Sequence, residues 1–79
     1  MKPDPARRQL TRGEQEAETE ARRLNELIDD ALAMVAVGPS RDLDSLEAIT
    51  DRIERAARDL SVALRELAHE RRIAQNSAE

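Results

Sequence analysis

The chain has 79 residues, of which 39% are hydrophobic and 38% charged, and its net charge is −4 at pH 7. It contains no aromatic residue and no cysteine. A chain of this size forms one small domain at most, and its composition excludes a disulfide framework, thiolate metal sites and aromatic stacking on single-stranded nucleic acid.

Residues 1–10 are predicted to form a flexible basic N-terminal arm. Lys2, Arg7 and Arg8 lie there without the apolar segment of a secretory signal. The longest apolar run, residues 31–37, is far too short to span a membrane. We therefore expect a cytoplasmic protein, and the twelve arginines against one lysine are typical of a GC-rich bacterial genome.

The first helix is predicted over about residues 12–37. Thr11 is suited to cap it, and Glu14 three positions later completes a capping box. Apolar residues then recur with the alternating spacing of four and three that is typical of a helix with one apolar side. This stripe consists of Ala17, Ala21, Leu24, Ile28, Ala31 and Val35, flanked by Leu27 and Met34 on one side and Leu32 on the other.

A turn is predicted over residues 38–44. Gly38 can adopt the left-handed conformation that ends a helix, and Pro39 cannot continue the helical hydrogen bonds. Asp44 is the expected cap of the next helix because Glu47 stands three residues after it, with Ser40 and Asp42 as alternatives. The competing geometry is one continuous helix of about 60 residues, which would form a rod about 90 Å long.

The second helix is predicted over about residues 45–74, followed by a frayed tail at 75–79. Asp51–Arg55 and Glu54–Arg58 are expected to form ion pairs one helical turn apart. Its apolar stripe consists of Leu46, Ile49, Ile53, Ala56, Leu60, Ala63 and Leu67, with Ala57 and Leu64 beside it.

These elements predict an all-α fold, an antiparallel two-helix hairpin over residues 11–74 that dimerises into a four-helix bundle. A short turn makes the helices antiparallel neighbours, with Ile28 opposite Ile53 and Ala21 opposite Leu60. Each apolar side is wider than one neighbouring helix can cover, which favours a two-fold dimer. Ile28, Ile53 and Leu60 are expected in the middle of its packed layers. The residues expected at the dimer or partner interface are Leu24, Leu27, Ile28, Met34, Val35, Ile49, Ile53, Leu60, Leu64 and Leu67.

No catalytic, cofactor-binding or metal-binding residue is predicted. His69 is the only histidine, and with Glu66 it has the Glu-x-x-His spacing of metal-binding bundles, but both residues lie away from the apolar stripe. The serines and threonines have no base placed to activate them, and no glycine-rich phosphate loop exists. We expect no enzyme activity and no small-molecule substrate.

A second partner surface is possible on the outer side of the second helix, where arginines recur every seven residues. It consists of Arg55, Arg58, Val62, Arg65, His69, Arg72 and Ile73. The hairpin resembles, in topology and length, the small plasmid RNA-binding proteins of the Rop type, although the chain has no matching RNA-contacting motif. This resemblance implies an alternative function as a nucleic-acid-binding regulator that uses the arginines and the basic arm.

The function that we expect first is a small non-catalytic interaction module, such as an accessory subunit, chaperone, antitoxin or inhibitor. Its partners would be a second copy of itself and a larger protein, both bound through apolar helix sides. Nucleic acid is the less favoured partner, and no membrane is expected.

Overall fold

The structure, a computed structural model, describes residues 9–37 and 43–78. Two helices, α1 (Arg12–Ala36) and α2 (Leu43–Ala78), pack against each other along their length. They are antiparallel, because Gly13 near the start of α1 contacts Leu67 and Glu70 near the end of α2. The longest dimension of the molecule is 58 Å, much shorter than a rod of one continuous helix. The all-α class and the hairpin are therefore confirmed.

The start of α1 has the predicted capping box. The Thr11 hydroxyl accepts a hydrogen bond from the Glu14 backbone N–H at 3.2 Å, and the Glu14 carboxylate accepts one from the Thr11 N–H at 3.0 Å. These two bonds satisfy donors that a helix start otherwise leaves without a partner. At the other end, the Val37 N–H donates to the Ala33 carbonyl at 3.2 Å. The predicted roles of Gly38, Pro39, Ser40 and Asp42 lie outside the described residues.

The second helix is longer at both ends than its sequence suggested. It starts at Leu43, so Asp44 lies in the first turn and is not the capping residue. A carboxylate in that turn still interacts favourably with the positive end of the helix dipole. At the other end the helix continues to Ala78, because residues 75–78 contain neither glycine nor proline to interrupt it.

The buried core of the hairpin is made mainly of small residues. The buried hydrophobic side chains are Ala17, Ile49, Ala56 and Ala63, and Gly13 is buried beside them. The three from α2 recur every seven residues, as in a coiled-coil seam. Small side chains let the two helices approach closely, but they bury little apolar area. The hairpin alone therefore has a thin core.

The side of α1 that packs against α2 only partly coincides with the predicted apolar stripe. It is displaced around the helix toward Glu20, Leu27 and Met34. Ala21, Ile28 and Val35 are exposed, whereas the side that faces α2 includes a glutamate. In this rotation Gly13 and Glu14 contact Glu70 and Arg71 of α2. The α1 residues that are buried or half-buried along the seam are Gly13, Ala17, Glu20, Leu24, Leu27, Ala31 and Met34.

Candidate interaction surfaces

The end of the hairpin away from the turn, which we call the open end, is closed by polar contacts between the helices. The Gly13 N–H donates to Glu70 Oε2 at 3.1 Å, so a carboxylate of α2 satisfies one of the free amides at the start of α1. Arg71 Nη2 lies 3.2 Å from Glu14 Oε2, and the Glu14 side chain is only 10% exposed. A Cβ at position 13 would collide with the Glu70 carboxylate, so glycine allows this close approach. The sequence patterns considered above did not predict the Gly13–Glu70 contact.

Glu20 is a charged residue within the seam. Its side chain is 22% exposed, and Oε2 is buried without a hydrogen-bond partner. The nearest cation is Arg23, whose Nη1 lies 3.6 Å away, beyond hydrogen-bond distance. Attraction to Arg23 therefore offsets part of the free-energy cost of removing the Glu20 carboxylate from water. No hydrogen bond offsets the rest. A leucine or alanine would be the ordinary occupant of such a position.

The two long edges of the seam differ in chemistry. On one edge, charged side chains from both helices surround a shallow groove above Leu27 and Ala56. The groove is lined by Arg23, Leu27, Arg52, Arg55, Ala56 and Asp59. Since residues on a helix are 100° apart, Ile28 of α1 and Leu64 of α2 fall on the opposite edge. Because the helices are antiparallel, the edge of α1 that carries Ile28 and the edge of α2 that carries Leu64 lie on the same side of the hairpin. Together they form one continuous surface.

That second surface, which we call the apolar face, is largely exposed. The exposed fraction is 43% for Ile28, 62% for Leu32, 75% for Val35, 63% for Leu43 and 49% for Leu64. Leu46, Ile53, Ala57 and Leu60 are half-buried. An exposed apolar patch of this extent usually marks an interface. The apolar face consists of Ala21, Ile28, Leu32, Val35, Leu43, Leu46, Ile53, Ala57, Leu60 and Leu64.

The predicted interface residues divide between the seam and the apolar face. Ile49 is buried in the seam, where Leu24, Leu27, Met34 and Leu67 are half-buried. Ile28, Val35, Ile53, Leu60 and Leu64 belong to the apolar face. The middle-layer positions predicted for Ile28, Ile53 and Leu60 stay a prediction, because they require a second hairpin. Leu32, a flanking residue in the sequence pattern, and Leu43, which that pattern omitted, are also exposed there.

The second predicted partner surface lies on the outer side of α2. All seven of its residues, from Arg55 to Ile73, are exposed. The expected ion pairs Asp51–Arg55 and Glu54–Arg58 are not formed, and within the described residues no acid pairs with Arg58, Arg65 or Arg72. Ion pairs along one helix occur on α1 instead, including Arg22 with Glu18 at 2.7 Å.

His69 and Glu66, which share the spacing of a metal-binding pair, are both exposed. In the described part of the chain, no group of three or more histidine, aspartate or glutamate side chains could hold a metal ion. Neither α1 nor α2 combines the length and apolarity that crossing a membrane requires.

Comparison of the chain with protein-family models, with curated proteins and with solved structures found no match.

Proposed function

We propose that this chain is a cytoplasmic, non-catalytic interaction module, which forms a homodimeric four-helix bundle and offers helical surfaces to a larger protein. The observation that supports the proposal best is the contrast between the exposed apolar face and the alanine-rich core. The face exposes five large aliphatic side chains, whereas three of the four buried hydrophobic residues are alanines. Five large aliphatic side chains are therefore left exposed on one side of a hairpin in which, among the described residues, only one is buried, Ile49.

The size of the apolar face suits a dimer. With 25 residues in α1, the side of the hairpin that carries the apolar face is about 37 Å long, and two adjacent helices make it about 20 Å wide. The area in projection is about 740 Å², close to the roughly 800 Å² that each partner contributes to a standard interface. A second hairpin laid on this face would give the two-layer arrangement of a four-helix bundle.

The test compares substitutions at two residues that lie on different surfaces of the hairpin but are almost equally exposed. Leu64 on the apolar face and Val62 on the outer side of α2 are 49% and 47% exposed. Light scattering on the wild-type chain should give about twice the 8.9 kDa chain mass. Leu64→Glu should weaken dimerisation by about 100-fold or more, because each dimer would bury two carboxylates.

Val62→Glu is the matched control and should leave the dimer intact. A wild-type chain that is monomeric and fully helical at low micromolar concentration would contradict the proposed dimer. So would a Leu64→Glu protein that dimerises as well as the control. The control also addresses the alternative function, because Val62 lies among arginines that pair with no acid in residues 9–37 and 43–78. Nucleic-acid binding that falls steeply with salt and is weakened by Val62→Glu would favour the regulator instead.

A further inference from the structure

The apolar face is not uniform along its length. Toward the turn it presents the large, exposed side chains of Ile28, Leu32, Val35 and Leu43. Toward the open end the α1 side of the face continues with Ala21 and then reaches Glu18, which is exposed. The face therefore has a strongly apolar turn half and a weaker open half that ends in charges.

Two-fold symmetry can stack two such faces in two ways. With the axis parallel to the helices, α1 packs on α2 of the second copy, and both turns lie at the same end. With the axis perpendicular to the helices, α1 packs on α1 of the second copy, and the turns lie at opposite ends. The two arrangements place different halves of the apolar face in contact.

The distribution of apolar side chains favours turns at the same end. Opposite turns with full overlap would press Leu32 and Val35 against the open half of the second copy, where Glu18 lies. Sliding the copies until only their turn halves overlap would avoid this, but the contact would shorten from about 37 Å to about 19 Å. The area would then fall to about 380 Å² per copy, well below the standard interface size. Turns at the same end give full overlap and pair apolar halves with each other.

The charges favour the same arrangement. In α1, seven acids outnumber three arginines, so stacking α1 on α1 would bring two acidic helices together. With turns at the same end, residues at the same height of the hairpin face each other. Glu14 would face Arg71 of the second copy, and Arg71 would face its Glu14. The two pairs together would form a square of alternating charges.

We infer that the second copy docks with its turn at the same end, so that α1 of each hairpin packs on α2 of the other. This inference rests on the proposed dimer and specifies its geometry. The two-fold axis then runs parallel to the helices. The exposed aliphatic residues of both turn halves form one shared cluster, and the acidic α1 of each hairpin lies against an α2 in which six arginines nearly balance seven acids.

The absence of native cysteines makes a clean distance measurement possible. Asn76→Cys places one spin label near the end of α2, and Glu54→Cys places one near its middle. With turns at the same end, Asn76→Cys should give label separations of about 20–30 Å, set by the spacing of neighbouring helices. With turns at opposite ends, the same labels would be about 60 Å apart, from 1.5 Å per residue along α2. Glu54→Cys is the matched control, because its separation is short in both arrangements.

The mass of each labelled protein is measured on the same samples. A dimeric mass with short separations at both positions supports the inference. A dimeric mass with a long separation for Asn76→Cys and a short one for Glu54→Cys would overturn the arrangement and leave the proposed dimer standing. A monomeric mass, with no defined separation at either position, would overturn the dimer and the arrangement together.

Discussion

The open end and the turn end of this hairpin are stabilised in different ways. At the open end a capping box, the Gly13–Glu70 hydrogen bond and the Glu14–Arg71 ion pair join the helices. Toward the turn, Leu32, Val35 and Leu43 are each more than 60% exposed. Polar groups of one chain satisfy each other at the open end, whereas the large apolar groups near the turn are left exposed. In the proposed dimer, the turn end would therefore gain most.

The largest loss of stability is expected from a substitution at Ile49, which lies in the seam near the turn. Its side chain is 7% exposed, so Ile49→Ala should reduce the free energy of unfolding by about 2–4 kcal/mol through lost burial and a cavity. Leu43→Ala in the same half removes a side chain that is 63% exposed in the hairpin. That substitution should weaken dimerisation and leave the unfolding of the isolated hairpin nearly unchanged.

Denaturant unfolding at a series of protein concentrations separates these two effects, because only dimer contacts make the midpoint depend on concentration. If Ile49→Ala were as mild as Leu43→Ala at low concentration, Ile49 would not belong to the core of the hairpin.

A smaller effect is expected at the open end. Glu70→Ala leaves the Gly13 N–H without its carboxylate, which should cost about 1 kcal/mol at this partly exposed site. Gly13→Ala in the wild-type chain displaces the Glu70 carboxylate, and this loss offsets the gain in helix propensity. In the Glu70→Ala background the same substitution should stabilise the chain by about 0.5–1 kcal/mol.

The four proteins form a double-mutant cycle, and thermal unfolding gives its coupling energy. Strictly additive effects would show that the close approach of Glu70 to Gly13 contributes nothing to stability.

The fold followed from local signals that do not depend on tertiary structure. Thr11 and Glu14 stand at capping-box spacing, and the apolar spacing of α2 matches its observed seam. The end of α2 was less predictable, because residues 75–78 have neither an apolar pattern nor a helix breaker. For such a segment, the sequence does not distinguish a frayed end from a continuing helix.

The rotation of α1 could not be read from hydrophobicity. Ile28 and Val35 are more apolar than Glu20, so the sequence favoured them as seam residues. The observed rotation brings Gly13 against Glu70, a contact across 57 positions that no periodic pattern encodes. Two rows of apolar residues on α1 compete for the seam, and hydrophobicity alone cannot rank them.

The smallest effect is expected at Glu20, and its sign is opposite to that of the others. Oε2 of Glu20 is buried in the seam without a hydrogen-bond partner, and Arg23 approaches no closer than 3.6 Å. Glu20→Leu removes this desolvated carboxylate and adds apolar contact between the levels of Ala17 and Leu24. The lost attraction to Arg23 is small because the Arg23 side chain is 58% exposed.

Glu20→Leu should therefore raise the free energy of unfolding by up to about 1 kcal/mol. Glu16→Leu is the control, since the Glu16 side chain is 46% exposed and pairs only with exposed Arg12 in the described chain. That control should change stability by less than about 0.5 kcal/mol. Denaturant unfolding measures both proteins under the same conditions. Destabilisation by Glu20→Leu would mean that the glutamate stabilises the rotation of α1. Replacing it would then let Ile28 and Val35 turn into the seam and remove part of the apolar face.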